Sequence, residues 1–505
     1  MLFNSYIFIF LFLPVCLTGF YLLKDRAPIA AKCWLIGLSL WFYGYFNLGY
    51  LAIMLFSIAF NYGIYSWMLK KRGRLTLIIG VAGNLGLLLY FKYTDFLIDS
   101  TNVIFKTDIP LRHILLPLGI SFFTFQQIGF IADTYRGETK RYGFIDYCLF
   151  VCFFPQLIAG PIVGHEQMMP QITAIGSKKG MDGEKFCRGA MLFILGLAKK
   201  VLIADTFGKA VDMTYGALGD GVDASQAILT ILFYTLQLYF DFSGYCDMAL
   251  GLGRMLGIDI PVNFDSPYKS RDITEFWKRW HITLNKFLTK NVYIPLGGNR
   301  KGNVRTYVNL LAVFLISGVW HGAGVTFIIW GLLHGIIYVI TRMVRSHGSH
   351  KDTGNVGQTS KPSNDKKTSG IRIADILSIA FTFIFVNIAW VFFRAETVKD
   401  AITVLKSCVM TPLSIPSRNF AGNFNLNEFW YVLKILHIDR FIFAPYIMMV
   451  IYTVAGLIVV FTAPNAKTVA DRSAFTLRNG ILYGILLLWC VVSLSGVSTF
   501  LYFNF

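Results

Sequence analysis

The chain has 505 residues, of which 55% are hydrophobic and only 15% are charged. A soluble domain usually carries about 25% charged residues, and the long apolar runs here could not lie at a soluble surface, so an ordinary soluble fold is excluded. The net charge of +18 does not indicate nucleic-acid binding. The basic residues gather in alternate connecting segments, as expected for cytoplasmic loops beside anionic lipid.

A helix needs about 20 mainly apolar residues to cross roughly 30 Å of hydrocarbon, and on this basis we predict about 11 membrane segments. The sequence therefore predicts an all-α polytopic membrane protein with one domain over residues 1–505. Some runs are short enough to be re-entrant. The candidate runs are 6–23, 33–46, 50–68, 75–90, 115–132, 144–163, 227–242, 308–319, 325–340, 376–393, 441–461 and 481–495.

The distribution of lysine and arginine predicts the topology. The connector after the second run has neither residue, and basic residues also precede the final run, so we expect both termini outside the cytoplasm. The first run lacks a basic leading segment and is not interpreted as a cleavable signal peptide. The basic clusters follow the first, third and fifth runs: Lys24, Arg26, Lys32; Lys70, Lys71, Arg72, Arg74; Arg136, Lys140, Arg141.

Two stretches depart from the apolar pattern. Residues 345–370 are polar and rich in Gly, Ser and Lys, which predicts a flexible cytoplasmic loop. Residues 239–335 form the candidate catalytic core. They begin apolar around Asp241 and Asp247, which we interpret as hydrogen-bonding groups rather than a proton relay, and turn basic through 263–305. Aromatic residues at helical spacing there predict a helix at the cytoplasmic interface. The eight cysteines show no C-x-x-C spacing and predict no metal site.

His321 is the principal catalytic candidate. It lies between two apolar runs, where an ionisable group is costly and usually faces a cavity. Gly318, Gly322 and Gly324 permit a break in the helix and a close approach of substrate. A neutral imidazole can take a proton from a hydroxyl near neutral pH. The alternative is a structural histidine bonded to a carbonyl, and the residues alone do not decide between them.

Other polar residues have weaker patterns. His281 lies in the basic segment, where a cytosolic donor would arrive or where a histidine would simply reach the headgroups. Lys278 and Arg279 could hold donor phosphates, although lipid binding is the simpler expectation. His334 is interpreted as a residue of the hydrophobic core.

Several blocks together resemble the membrane-bound O-acyltransferase family, in its bacterial alginate O-acetyltransferase branch. They span most of the chain in the family's order. The blocks are PQLIAGPI (155–162), YFDFSGYCDMA (239–249), NFDSPYKSRDITEFWKRWHITL (263–284), YIPLGGN (293–299), SGVWHGAGVTFIIWGLLHG (317–335) and AWVFFRAE (389–396).

The resemblance implies a helical bundle around a central tunnel in the bacterial inner membrane. The family's essential histidine falls on His321 and its second polar position on His281, while Trp320, Asn263, Lys278 and Arg279 become candidates for binding donor or substrate. A cytosolic thioester, expected to be acetyl-CoA, would supply acetyl groups for an exported polysaccharide such as alginate, peptidoglycan or cellulose. An extracytoplasmic esterase-like (SGNH) transferase is the expected partner, and no covalently bound cofactor is expected.

The chain ends in FLYFNF (500–505), which resembles an aromatic C-terminal motif of this family with a central tyrosine. We hypothesise that Tyr502 accepts the acetyl group with His321 as base, because a phenol with a pKa near 10 needs one at pH 7. The alternative is an aromatic anchor at the membrane interface.

Two other functions stay open. One is D-alanyl export for teichoic acid. The other is a lipid or glycan transporter. Transporters often contain paired repeats, and the sequence shows no second copy of the 239–335 pattern, which counts against this function.

Overall fold

The computed structural model describes residues 1–351, 373–435, 437, 441–496, 500 and 501. Within these residues the chain is helical, with connecting loops and no strand. The helices up to residue 255 are α1 (Leu13–Lys24), α2 (Pro28–Gly44), α3 (Leu48–Lys70), α4 (Arg74–Phe105), α5 (Ile120–Arg136), α6 (Phe144–Cys152), α7 (Phe154–Leu157), α8 (His165–Thr173), α9 (Gly183–Ala198), α10 (Asp205–Gly216) and α11 (Ala224–Met255).

The remaining helices include those that carry the candidate residues. Short π-helical turns at Phe8–Phe12, Lys199–Ala204 and Thr289–Tyr293 extend or join their neighbours. The helices after residue 255 are α12 (Ile273–Arg279), α13 (Ile282–Leu288), α14 (Gly302–His321), α15 (Val325–Lys351), α16 (Ile373–Arg394), α17 (Val398–Met410), α18 (Arg418–Gly422), α19 (Trp430–Ile435), α20 (Ala444–Thr462), α21 (Ala466–Arg472) and α22 (Leu477–Val492).

The predicted class, an all-α polytopic membrane protein, is confirmed. In the described part of the chain seven helices are long and apolar enough to cross a membrane: α3, α4, α11, α14, α15 as far as Arg345, α16 and α20. The helical stretch Phe8–Lys24 and α22 are apolar but shorter. Most of the predicted runs thus lie in single helices.

Two predicted runs do not form single helices. The run 115–132 begins in irregular chain, and α5 starts only at Ile120. The run 144–163 is divided into α6, the single turn α7 and a non-helical segment. Pro155 and Pro161 lack the N–H that a continuous helix needs. Residues 151–160 are buried, as required of irregular backbone at membrane depth.

The predicted loop 345–370 begins later than expected. Helix α15 continues to Lys351, so the first seven residues of that stretch are helical, and the rest lies outside the described residues. The predicted tail 500–505 is described only at Phe500 and Leu501.

A helical stretch absent from the predicted runs, α9 to α10, packs along α11. Glycines face each other across this contact, because a Cβ on Gly196 would lie 2.6 Å from the carbonyl oxygen of Gly244 and a Cβ on Gly189 would lie 2.7 Å from that of Gly251. Small residues let two helix backbones approach closely, as is common inside membranes. Lys199 interrupts the apolar pattern of this stretch and explains why hydropathy missed it.

The charges between these helices are paired. The Lys200 ammonium lies 2.6 Å from Asp241 and 2.7 Å from Asp205, and Lys199 lies 2.6 Å from Asp247. Asp241 and Asp247 therefore join α11 to the neighbouring helical stretch. Their predicted use as hydrogen-bonding groups within the bundle agrees with these contacts.

We predict that Lys200→Met lowers stability by about 3–5 kcal/mol, because it leaves buried carboxylates without their cation. The apparent Tm of the detergent-purified protein measures the change. Lys185→Met is the matched control, since Lys185 pairs with the more exposed Asp259 at 2.8 Å and such pairs contribute about 0–1 kcal/mol. Equal Tm values for the two variants would contradict the prediction.

Candidate active site

His321 is the last residue of α14, at a sharp break between two packed helices. The chain becomes extended at Gly322, and a Cβ there would lie 2.0 Å from the ring of Phe327. A Cβ on Gly318 would lie 2.4 Å from the carbonyl oxygen of Phe327. The predicted break in the helix thus lies at Gly322. The two glycines let α15 pack against the end of α14.

Aromatic rings surround the His321 imidazole, which is only 3% exposed. Ring centroids lie 4.8 Å away for Trp320, 5.2 Å for Trp330 and 5.3 Å for Phe393. The ring of His281 lies 6.3 Å from that of His321. The structure thus brings together three of the predicted site residues, His281, Trp320 and His321.

His281 lies at a break that the sequence did not predict. The expected interfacial helix is divided into α12 and α13, with His281 between them in the left-handed region at φ 46°. The backbone at this break is bonded to the segment after α11: the N–H of Ile282, the next residue, donates to the Asn263 carbonyl at 3.0 Å. A non-glycine residue in this region costs about 1–3 kcal/mol and often marks a functional site. The break turns His281 into the bundle, where it is 1% exposed.

Asn263 orients His281. Its side-chain oxygen accepts hydrogen bonds from the Thr283 N–H at 3.1 Å and the Thr283 hydroxyl at 2.9 Å, and it lies 3.2 Å from Nδ1 of His281. An acceptor facing Nδ1 favours the tautomer protonated there and places the basic lone pair on Nε2. Asn263 was predicted as a candidate for binding substrate. In the structure its side chain contacts His281 and orients that ring.

A cavity of about 30 Å³ opens beside His321, room for about one water molecule. Trp320, Lys92 and the start of α5 at Ile120 also line it. His321 therefore borders a small cavity while its side chain stays buried.

A second cavity, of about 100 Å³, lies towards the other end of α5, where Asp133, Thr283 and Lys290 line it. Lys290 is 2.7 Å from both Asp133 and Glu138. Partial burial disfavours its charge, but these carboxylates outweigh burial and raise the pKa of Lys290. Charged and aromatic side chains both line this cavity.

Three stacked rings separate the two cavities. The Phe125 ring stacks on Phe287 at 4.5 Å and on Trp320 at 5.0 Å. Phe125 and Phe287 line the larger cavity, and Trp320 lines the one beside His321. The tunnel implied by the resemblance corresponds here to two cavities divided by aromatic rings.

The other predicted residues lie elsewhere. Lys278 is exposed, and Arg279 pairs with Glu275 at 2.8 Å. The His334 ring accepts a hydrogen bond from the Trp277 indole at 3.3 Å and is fully buried, in agreement with its interpretation as a core residue. Tyr502 lies outside the described residues.

Sequence reasoning missed Lys92, Thr283 and the ring pair Phe125–Phe287. Lys92 carried no usable signal, since a lysine that ends a long apolar run ordinarily reaches the membrane interface. The aromatic residues resemble any other hydrophobic residue of the sequence.

Known proteins resemble the chain over its full length. The sequence model of the membrane-bound O-acyltransferase family matches residues 133–371. A peptidoglycan O-acetyltransferase of Helicobacter pylori is 39% identical over 100% of this chain and 98% of its own length. The chain belongs to the membrane-bound O-acyltransferase family. It is therefore a multi-pass membrane acyltransferase.

Two further relatives are named for other polymers. A probable alginate O-acetylase AlgI of Pseudomonas aeruginosa is 39% identical over 79% of this chain and 73% of its own length. A teichoic acid D-alanyltransferase of Streptococcus thermophilus is 30% identical over 44% of this chain and 56% of its own length. The O-acetylating relatives thus resemble this acyltransferase over much more of the chain.

We predict that Asn263→Leu reduces acyl transfer by about 100-fold, because a small displacement of a catalytic group can cost that much. Activity is measured as thioester cleavage by the purified protein. Asn61→Leu is the matched control, because Asn61 is a buried asparagine that bonds to Asn84 at 3.1 Å. That variant should lose stability yet keep activity while folded. Equal activity losses would contradict the orienting role of Asn263.

Proposed function

We propose that this chain takes acetyl groups from a cytosolic thioester, acetyl-CoA, and passes them across the bacterial inner membrane for O-acetylation of an exported polysaccharide. The observation that carries the proposal is the pair His281 and His321, with rings 6.3 Å apart, where His321 lines the cavity at one end of α5 and aromatic rings divide it from the cavity at the other end. An imidazole in this position is within reach of groups arriving from opposite faces of the bundle.

Basic residues at the ends of three helices indicate which face of the bundle the donor approaches. Helix α4 begins at Arg74, α5 ends at Arg136, and α14 begins just after Lys301. The positive-inside rule assigns this face to the cytoplasm, with both chain termini outside. The larger cavity, with Lys290 at its rim, then faces the donor. We propose that the donor's thioester end passes the Phe125–Phe287 rings, while Lys278 and Arg279 stay candidates for contacts with its phosphates.

The described end of the C-terminal tail supports Tyr502 as the acyl carrier. Phe500 is 1% exposed and packs on Tyr245 with ring centroids 4.7 Å apart. The Leu501 N–H donates to Asp241 at 3.0 Å. The next residue along α11, Phe242, lies 4.9 Å from the His281 ring. The chain therefore packs into the bundle against α11 immediately before Tyr502, one residue along that helix from the ring that contacts His281, which an anchor at the interface would not require.

The proposed step is an ordinary acyl transfer. The Tyr502 phenol attacks the thioester carbonyl while His321 takes the phenolic proton. The C–S bond then breaks, the thiolate leaves and takes up that proton as a thiol, and the acetyl group becomes a phenyl ester. His281, oriented by Asn263, would assist these proton movements through Nε2. An extracytoplasmic esterase-like partner would then move the acetyl group to a glycan hydroxyl.

Peptidoglycan is the favoured acceptor. The Helicobacter pylori peptidoglycan O-acetyltransferase aligns with all of this chain, whereas the alginate relative covers 79%. Alginate and cellulose are alternative acceptors. D-alanyl export is disfavoured, because that relative covers only 44% of the chain.

We predict that His321→Gln reduces thioester cleavage by about 10²–10⁴-fold, the usual contribution of a general base. Purified protein is incubated with acetyl-CoA, and the released thiol is measured. His334→Gln is the matched control, since both rings are buried within the same aromatic cluster, and it should retain activity while folded. A wild-type protein that cleaves no thioester would instead support a transporter.

We predict that Tyr502→Phe removes covalent acetyl label from the protein, because the variant keeps the aromatic ring but lacks the nucleophile. Protein incubated with radiolabelled acetyl-CoA is denatured, digested and mapped by mass spectrometry. Tyr45→Phe, at an exposed tyrosine, should keep the label. Full glycan acetylation in cells carrying Tyr502→Phe would contradict the carrier role.

A further inference from the structure

Lys92 is a cation within a membrane-spanning helix. Residues 75–91, which precede it in α4, carry no charge, and an ionisable side chain in such a segment usually faces the bundle interior and pairs with another group or with backbone carbonyls. The mechanism proposed above does not use it. Its ammonium nevertheless lies at the end of α14 and lines the cavity beside His321.

The contacts of Lys92 complete the end of α14. Nζ of Lys92 donates to the carbonyl of Trp320 at 2.6 Å and to that of His321 at 2.9 Å. The hydroxyl of Tyr93 donates to the carbonyl of Val319. The Gly322 N–H reaches the carbonyl of Gly318 at 3.4 Å.

The bonds from Lys92 and Tyr93 account for the carbonyls of Val319, Trp320 and His321, which have no partner within the helix. Water would serve this purpose in a soluble protein but is absent from hydrocarbon. Two consecutive residues of α4 therefore hold three consecutive carbonyls of α14. The cation also opposes the negative end of the helix dipole, which stabilises the final turn.

We infer that Lys92 is a positioning residue of the acyltransferase site: its ammonium fixes the terminal turn of α14 and thereby the His321 ring. This inference deepens the proposed function and rests on it for the effect on turnover. The bond to the carbonyl of His321 itself ties the backbone of the catalytic residue to α4. Tyr93 bonds two residues earlier, so its loss should disturb the ring less.

Three substitutions separate charge, hydrogen bonding and simple packing. Lys92→Met keeps the length of the side chain and removes the ammonium, Lys92→Arg restores a cation with N–H donors, and Tyr93→Phe removes only the neighbouring bond. For Lys92→Met we expect kcat for acetyl-CoA cleavage to fall about 10–100-fold, with KM within about twofold, because a displaced ring impairs the chemical step more than binding. Lys92→Arg should recover most of the loss, and Tyr93→Phe should lose about threefold or less.

A second readout does not depend on activity. Diethyl pyrocarbonate modifies neutral imidazoles, and mass spectrometry gives the modification rate of His321 relative to that of His334 in the same sample. Loosening the end of α14 should raise this ratio severalfold in Lys92→Met and leave it near the wild-type value in Lys92→Arg. If Lys92→Met is not monodisperse in detergent, Lys92→Gln takes its place with the same expected directions.

An unchanged ratio in Lys92→Met, or in Lys92→Gln where it replaces that variant, would overturn the positioning role whatever the activity. An unchanged kcat would overturn it equally. A wild-type protein without thioester cleavage would refute the proposed function, while the modification ratio would still decide whether Lys92 holds His321 in place.

Discussion

Hydrocarbon offers no hydrogen-bond partner, so the backbone N–H and C=O groups within this bundle need partners from the chain itself. This constraint explains the features that position the site. The end of α14 is completed by Lys92 and Tyr93 from α4, and the break before α13 is held by Asn263. Between α11 and its neighbours, Lys200 lies between two carboxylates. In each case a polar group that would disrupt an isolated apolar helix connects two elements.

The same constraint explains the arrangement of the two cavities. An open passage through the bundle would admit water and protons, whereas stacked rings at Phe125, Phe287 and Trp320 close it with apolar surface. The acyl end of a thioester is small and weakly polar, so it suits such a route better than a charged group does. His321 lies on the far side of the rings from the polar cavity, where it lines the smaller cavity together with Trp320.

The sequence predicted the long spans because hydropathy at helical length depends only on local composition. It also indicated His321, since a histidine flanked by glycines in an apolar run is unusual. It did not predict the break at His281 or the helical stretch ending in α10. Both depend on partners distant in sequence: Asn263 for the first, and Asp241 for Lys200 in the second. Pro155 lies within the run 144–163, but a prediction from apolar length alone takes no account of a proline.

The central claim is that groups from both faces of the bundle reach His321. Its most direct test uses proteoliposomes with radiolabelled acetyl-CoA on one side only. The account predicts that label reaches the protein's tail, or a glycan supplied with its partner enzyme, on the opposite side, and only when the donor is on the face that carries Lys290. Label transferred from either face equally, or thioester consumed with all label remaining on the donor side, would contradict it.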